Sequence, residues 1–240
     1  MINKIVPDIV AALSGIEDNS RVLISGFGNA GNPTDLVHGL IEQGASDLTV
    51  INNNAGNGHV GLAALLESGQ VAKIICSFPR SNDPVVFETL YRAGKIQLET
   101  VPQGTLAERI RIAGVGIGGF YTPTSVGTPL AEGKEERQID GRRMVLEMPL
   151  HADYALIKAW KADRWGNLIY RRAARNFAPL MAMAAKTTIV QVQEIVELGD
   201  LQAEHVVTPG IFVDRVVCVP QPTDENALHL AEQSARNSSS

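Results

Sequence analysis

The chain has 240 residues, 45% of them hydrophobic, with 21 Lys+Arg against 26 Asp+Glu and a formal net charge of −5. That length is one large domain or two small ones with room for a full core, and the mild acidity argues against a nucleic-acid binder, which would cluster Lys and Arg on one face. No run reaches the roughly 18 apolar residues of a membrane span, no apolar signal region follows Met1-Ile2-Asn3-Lys4, and two cysteines, Cys76 and Cys218, make neither a disulfide framework nor a metal-ligand spacing, so a cytoplasmic chain is expected.

Val22-Leu23-Ile24 reads as a buried strand and is followed by a helix from Thr34 to Gln43, opened by Asn32-Pro33 and closed by Gly44. Leu48 to Ile51 is the next strand, and the helix from Leu62 ends at Gly69. Lys73 to Cys76 and Ile96 to Val101 are further strands, separated by a helix that starts after Asp83-Pro84 and ends at Gly94. A helix from Thr105 to Ala113 is expected to stop at Gly114, each of these glycines serving as a left-handed cap. Strand and helix in alternation imply an α/β fold: an open, mostly parallel sheet with helices on both faces. The second half changes character. Val115 to Gly133 reads as an ordered loop, Ile139-Asp140-Gly141-Arg142 as a hairpin turn, Tyr154 to Trp160 and Thr187 to Val192 as strands, and Pro179 to Ala185 as a short helix. The expected organisation is a single domain over residues 1–219 with a β-rich elaboration in its second half, and a frayed, flexible tail over 220–240, which is rich in Pro, Gln, Asn and Ser.

The first strand runs directly into Gly26-Phe27-Gly28-Asn29-Ala30-Gly31, formally the G-x-G-x-x-G of dinucleotide sites. Glycines let backbone amides approach a phosphate, and the following helix N-terminus adds partial positive charge. A ribose-binding carboxylate should then close the second strand, about 20 residues on; that strand closes instead on Asn52-Asn53-Asn54. The residues alone leave two readings open, a tight strand-to-helix turn or an anion-binding loop of other specificity.

A wider pattern narrows them. Asp18-Asn19, Val22 to Phe27 and Gly31-x-Pro33 resemble the first signature of the family I coenzyme A-transferases, with Ser25-Gly26 where the family usually has a glycine pair. Asn53-Asn54-Ala55-Gly56, Val101 to Arg109, Tyr121 to Thr124, Ala155 to Ala159, Asp163-Arg164-x-Gly166-Asn167 and Ala174 to Phe177 are similar to the family's A subunit, in order along the chain. Cys76 to Arg80 and Glu147 to Asp153 look most like the 3-oxoadipate branch. Ser125-Val126 departs from the family's usual Gly-Tyr.

The resemblance implies a ping-pong transfer of CoA from succinyl-CoA to a 3-oxoacid, in aromatic-compound catabolism for this branch, with coenzyme A entering as substrate and no tightly bound cofactor or metal. An enzyme glutamate attacks the thioester and becomes a glutamyl-CoA thioester. That glutamate sits in a Ser-Glu-Asn-Gly motif on the B subunit, and the motif is absent from these 240 residues. The resemblance therefore implies a B-subunit partner, in an α2β2 assembly. It assigns to Gln103 an oxyanion-donor role, and to Ser25, Gly26, Phe27, Gly28, Asn29, Ala30 and Gly31 the CoA-facing loop. Gln103 follows a strand and its amide can donate to an oxyanion; Asn53 and Asn54 end the neighbouring strand, as substrate donors or as an Asx-type turn before Gly56. Of the other candidates, Glu108 reads as an ion-pair partner and Cys76 as a buried small hydrophobe. His59 reads as solvated, His151 and Asp153 lack a serine-nucleophile motif, and Arg80 is a candidate for a diacid's distal carboxylate. Rival readings are a transferase for acetoacetate or another short 3-oxoacid, a hydrolase on the same two-subunit plan, and a ligand-sensing module.

Overall fold

The computed structural model describes residues 2–238. Its first half supplies strands β1 (Ile5–Val6), β2 (Arg21–Ile24), β3 (Leu48–Ile51), β4 (Val71–Cys76) and β5 (Gln97–Thr100). The middle supplies β6 (Phe120–Thr122), β7 (Glu136–Ile139) and β8 (Arg142–Glu147), an antiparallel sheet in the order β6-β8-β7. Asp140 and Gly141, both at positive φ, make the tight β7–β8 turn. Then come β9 (Ala152–Lys158), β10 (Lys161–Asp163), β11 (Leu168–Ile169), β12 (Ala185–Val192), β13 (Glu194–Val196) and β14 (Arg215–Cys218). Eight strands form one parallel sheet in the order β1-β14-β12-β9-β2-β3-β4-β5, while β11, β10 and β13 form a small side sheet.

Alternating strand residues feed two cores, as a sheet covered on both faces requires. Val22, Ile24, Val50, Ile74 and Leu156 face helices α1 (Ile9–Leu13), α2 (Thr34–Gln43), α3 (Leu62–Glu67) and α4 (Val85–Arg92), through Leu13, Leu36, Leu40, Leu65 and Phe87. Leu23, Ile51, Ile75 and Ile157 face α5 (Gln103–Val115) and α6 (Ala178–Ala184), through Leu106, Ile110 and Met181. Two departures from the sequence reading have clear causes. Helix α5 runs past Gly114 to a left-handed cap at Gly116, because Gly114 is a contact point: a Cβ there would lie 2.5 Å from Met183 of α6. Residues 225–238, expected as a frayed tail, form helix α7 (Glu225–Ser238), which is docked through buried polar side chains rather than an apolar stripe. No helix among the described residues is long and apolar enough to cross a membrane.

The chain steps β2-β3-β4-β5 in one direction across the sheet and β9-β12-β14 in the other. The reversal lies between β2 and β9, so the loop after β2 stands at the crevice where open parallel sheets bind ligands.

Candidate active site

Each of the strands β2 to β5 delivers polar residues to the same carboxyl edge. After β2, Phe27 and Ala30 exchange backbone hydrogen bonds of 2.9 and 3.1 Å, closing a two-residue turn with Gly28 at φ +57°. The loop is clasped from outside by Asn176, whose Nδ2 donates to Ala30 O and whose Oδ1 accepts from Gly26 N–H. The Ser25 hydroxyl, fully buried, donates to Gly31 O at 2.8 Å. Gly31 lies at φ +78° with its open side against the backbone of Ala174, where a Cβ would stand 2.5 Å from the carbonyl oxygen. Of the seven loop residues assigned to CoA, Ser25, Gly26, Ala30 and Gly31 therefore shape the loop, and only Phe27, Gly28 and Asn29 line the cavity beside it. The first turn of α2, expected to offer its N-terminus to an anion, meets a carboxyl group of this chain. Glu225 from α7 accepts from the Thr34 hydroxyl at 2.8 Å and from Asn32 Nδ2 at 2.9 Å.

After β3, Asn52 Nδ2 donates to Ile24 O and its Oδ1 accepts from Asn54 N–H, both at 2.8 Å. Asn54 Oδ1 accepts from Gly56 N–H, which is the Asx turn expected there, and the same residue lines the cavity. Asn53 Oδ1 accepts from the Ser77 hydroxyl at 2.8 Å and from Gln103 Nε2 at 2.9 Å. Asn53 lines the cavity with its acceptor end held twice and its NH₂ not engaged in either bond. Gln103, two residues before the expected helix start at Thr105, is the first residue of α5. An amide nitrogen carries two hydrogens, so Gln103 Nε2 keeps one beyond the bond to Asn53.

The cavity these residues enclose has a volume of about 470 Å³ and is completed by Asn57, Ser77, Phe78, Ser81 and Asn82. The rule that found Asn53 and Gln103, polar residues closing parallel strands, applies equally to Ser77 after β4; Asn57, Ser81 and Asn82 come from loops whose approach no sequence pattern announces. None of the lining side chains titrates near neutral pH. The lining offers amide and hydroxyl donors and two aromatic faces, but no general base and no nucleophilic carboxylate.

The other sequence candidates stand outside the lining. Glu108 pairs with Arg111 at 2.7 Å, and Arg80 with Glu88 at 2.8 Å. Glu147, only 1% exposed, sits between Lys134 and Arg109 and ties the β6–β8 sheet to α5. His59 pairs with Glu67, and Asp153 with Lys186, whose hydrogen bond holds the Asp153 carboxyl below its ordinary value. Burial pushes the Cys76 thiol up to about 12, which leaves it inert. Among the described residues no group of three or more His, Cys, Asp or Glu is placed to hold a metal ion.

Residues 6–219 match the family model described as coenzyme A transferase. The chain belongs to this family. It is 66% identical over 219 residues to the A subunit of the 3-oxoadipate CoA-transferase of Pseudomonas putida, a match that covers 91% of this chain and 95% of that one. It is 49% identical over 216 residues to the A subunit of the succinyl-CoA:3-ketoacid coenzyme A transferase of Xanthomonas campestris pv. campestris strain B100, covering 90% and 88%. Among solved structures, the glutaconate coenzyme A-transferase of Acidaminococcus fermentans superposes with a TM-score of 0.80 at 21% identity, over 90% of this chain and 76% of that one. The superposition shows that the parallel sheet covered on both faces is shared with this solved structure.

Proposed function

We propose that this chain is the A subunit of a two-subunit CoA-transferase that moves CoA from succinyl-CoA to 3-oxoadipate, and that it supplies donors while a partner B subunit supplies the nucleophile. One observation carries the division of labour: the cavity at the carboxyl ends of β2 to β5 is lined by neutral donors and contains no titratable group. A CoA-transferase needs a carboxylate to take up the acyl group and then CoA, so that carboxylate must enter from outside this chain. The substrate assignment rests on the 3-oxoadipate relative being the more similar of the two relatives described.

The chemistry asks two things of the cavity. A glutamate carboxylate attacks the thioester carbonyl, and the tetrahedral intermediate places a negative charge on the former carbonyl oxygen; CoA thiolate leaves, then attacks the glutamyl carbonyl of the anhydride and releases succinate. The second half runs the same steps in reverse on the acceptor. Each intermediate needs a donor aimed at the developing oxyanion, worth about 10²–10³ in rate. The Gln103 Nε2 hydrogen not held by Asn53 has that role. The Asn53 and Asn54 amides hold the acid's carboxylate, and neutral donors suit a group that must itself react, since a cation would bind the ground state most tightly. Phe27, Gly28 and Asn29 present the loop backbone and one aromatic face to the CoA arm.

The test is turnover of succinyl-CoA with 3-oxoadipate. The purified chain alone is expected to be inactive and to gain activity when the B subunit is added; robust turnover by the chain alone overturns the reading.

A further inference from the structure

Helix α7 lies beyond residue 219, where the family match stops. Its packing is unusual for an element added for stability, because Leu228 and Leu230 are 40% and 53% exposed while Glu225 and His229 are 7% and 6% exposed. Burying a carboxylate costs free energy unless its partners compensate, and burial pushes the Glu225 carboxyl above the ordinary range, against the pull of its two donors. Glu225, His229, Glu232 and Arg236 stand at helical spacing on one stripe of α7.

What that stripe touches is the cavity's loops. Asn32 Nδ2, held by Glu225 Oε1 at 2.9 Å, also donates to Gly28 O at 3.1 Å. The Asn32 side chain fills the space beside Gly26, where a Cβ would collide with it. Asn226 Oδ1 accepts from Asn29 Nδ2 at 2.9 Å, and Asn29 Oδ1 accepts from Asn57 Nδ2. Asp83 Oδ2 takes His229 Nε2 at 3.1 Å and an Arg236 guanidinium nitrogen at 2.9 Å. The Asp83 backbone in turn holds Asn57 Oδ1 and Gly58 N–H, and Glu232 accepts from His59 N–H. All three loops that frame the cavity mouth, those carrying Gly28, Asn57 and Ser81, are thus tied to one helix.

We propose that α7 is a brace for the substrate cavity, with Glu225 and His229 as positioning residues that hold these loops in the geometry that binds acyl-CoA. The proposal rests on the acyl-CoA reading of the cavity. Neither residue touches substrate; Glu225 acts through Asn32 on the glycine loop, and His229 acts through Asp83 on Asn57. A loop that must be ordered at the moment of binding weakens affinity and leaves the chemistry of the bound complex largely intact, so the effect belongs in KM.

The experiment compares wild type, Glu225→Ala, Glu225→Gln and His229→Ala in the complex with the B subunit. Steady-state kinetics with succinyl-CoA and 3-oxoadipate give kcat and KM; hydrogen exchange follows backbone amides 26–31 and 56–61, and a melt reports folding. Glu225→Ala is expected to raise KM for succinyl-CoA about tenfold, equivalent to about 1.4 kcal/mol, with kcat little changed and faster exchange in 26–31. Glu225→Gln, which keeps an acceptor for Asn32, is expected to recover most of the loss, and His229→Ala to speed exchange chiefly in 56–61. Unchanged KM and exchange in folded variants overturn the brace, and so does a lowered Tm with unchanged KM, which would make α7 a stabilising element only. A fall in KM also overturns it, because α7 would then obstruct the cavity. A wild-type complex that fails to turn over these substrates refutes the functional reading instead, while exchange in the loops still decides the brace.

Discussion

Gln103 is positioned by Asn53. A free glutamine side chain on the first turn of a helix samples many rotamers, but here one amide hydrogen is held at 2.9 Å by an oxygen that Ser77 also fixes, so the side chain is pinned beside the cavity. Gln103→Ala is therefore expected to lower kcat of the assembled complex by about 10²–10³, or about 2.7–4 kcal/mol, with a smaller change in KM. A kcat within a few-fold of wild type would reduce Gln103 to a helix-start residue. Ser125 shows the opposite kind of residue effect. It sits at φ +75° with a buried hydroxyl that has no hydrogen-bond partner among the described residues, and a left-handed non-glycine residue costs about 1–2 kcal/mol. Ser125→Gly removes both penalties and returns part of the gain as unfolded-chain entropy, so a net stabilisation of about 1 kcal/mol is expected, seen as a raised Tm. An unchanged or lower Tm contradicts it. The sequence marked Ser125 as a departure from the family's glycine, and the backbone angle gives that departure a physical meaning.

The glycine loop separates two roles that one motif had merged. Nothing lies within 4 Å of a Cβ built at Gly28, whereas a Cβ at Gly31 meets the Ala174 carbonyl. Gly28→Val is expected to weaken acyl-CoA binding more than binding of the free 3-oxoacid, while Gly31→Val should lower Tm first. Kd values for both ligands in the assembled complex, read beside melting curves, check this; equal losses for both ligands at Gly28 would assign that glycine to folding alone. At α7, burial raises the Asp83 carboxyl, but the hydrogen bonds and charges of His229 and Arg236 outweigh it and hold the carboxyl below its ordinary value. A lowered folded value stabilises above the unfolded pKa and is lost as pH falls through the folded one. Exchange protection of α7 is expected to persist down to about the ordinary aspartate range and collapse below it, and Asp83→Asn should loosen the helix at neutral pH; a pH-independent α7 or a silent Asp83→Asn contradicts this. The same elements show what sequence patterning can carry. Strands β2, β3 and β4 are legible as short apolar runs, and β5 is legible because the polar Gln97–Thr100 is bracketed by the buried Ile96 and Val101. Helix α7 is not, since its buried positions are Glu225 and His229, which no hydrophobic period detects; β1 is only two residues long and gains its pairing from β14.

At the scale of the whole molecule, a doubly covered parallel sheet places its polar strand ends on one edge, and Asn53, Asn54 and Gln103 could be found there because that rule depends on topology alone. How they would bond to one another could not be read: the shared Asn53 oxygen depends on Ser77 arriving from β4 at the right height. The cavity lining that results is chemically one-sided, rich in donors and, among the described residues, without a carboxylate. The nucleophile is expected to come from another chain. The most direct measurement is to incubate the assembled complex with succinyl-CoA in the absence of acceptor, and to map the covalent CoA adduct by mass spectrometry of the separated chains. The expected result is a thioester on a glutamate of the B subunit, with the 240-residue chain left unmodified. A CoA adduct on any glutamate of this chain, Glu108 or Glu147 included, would contradict it.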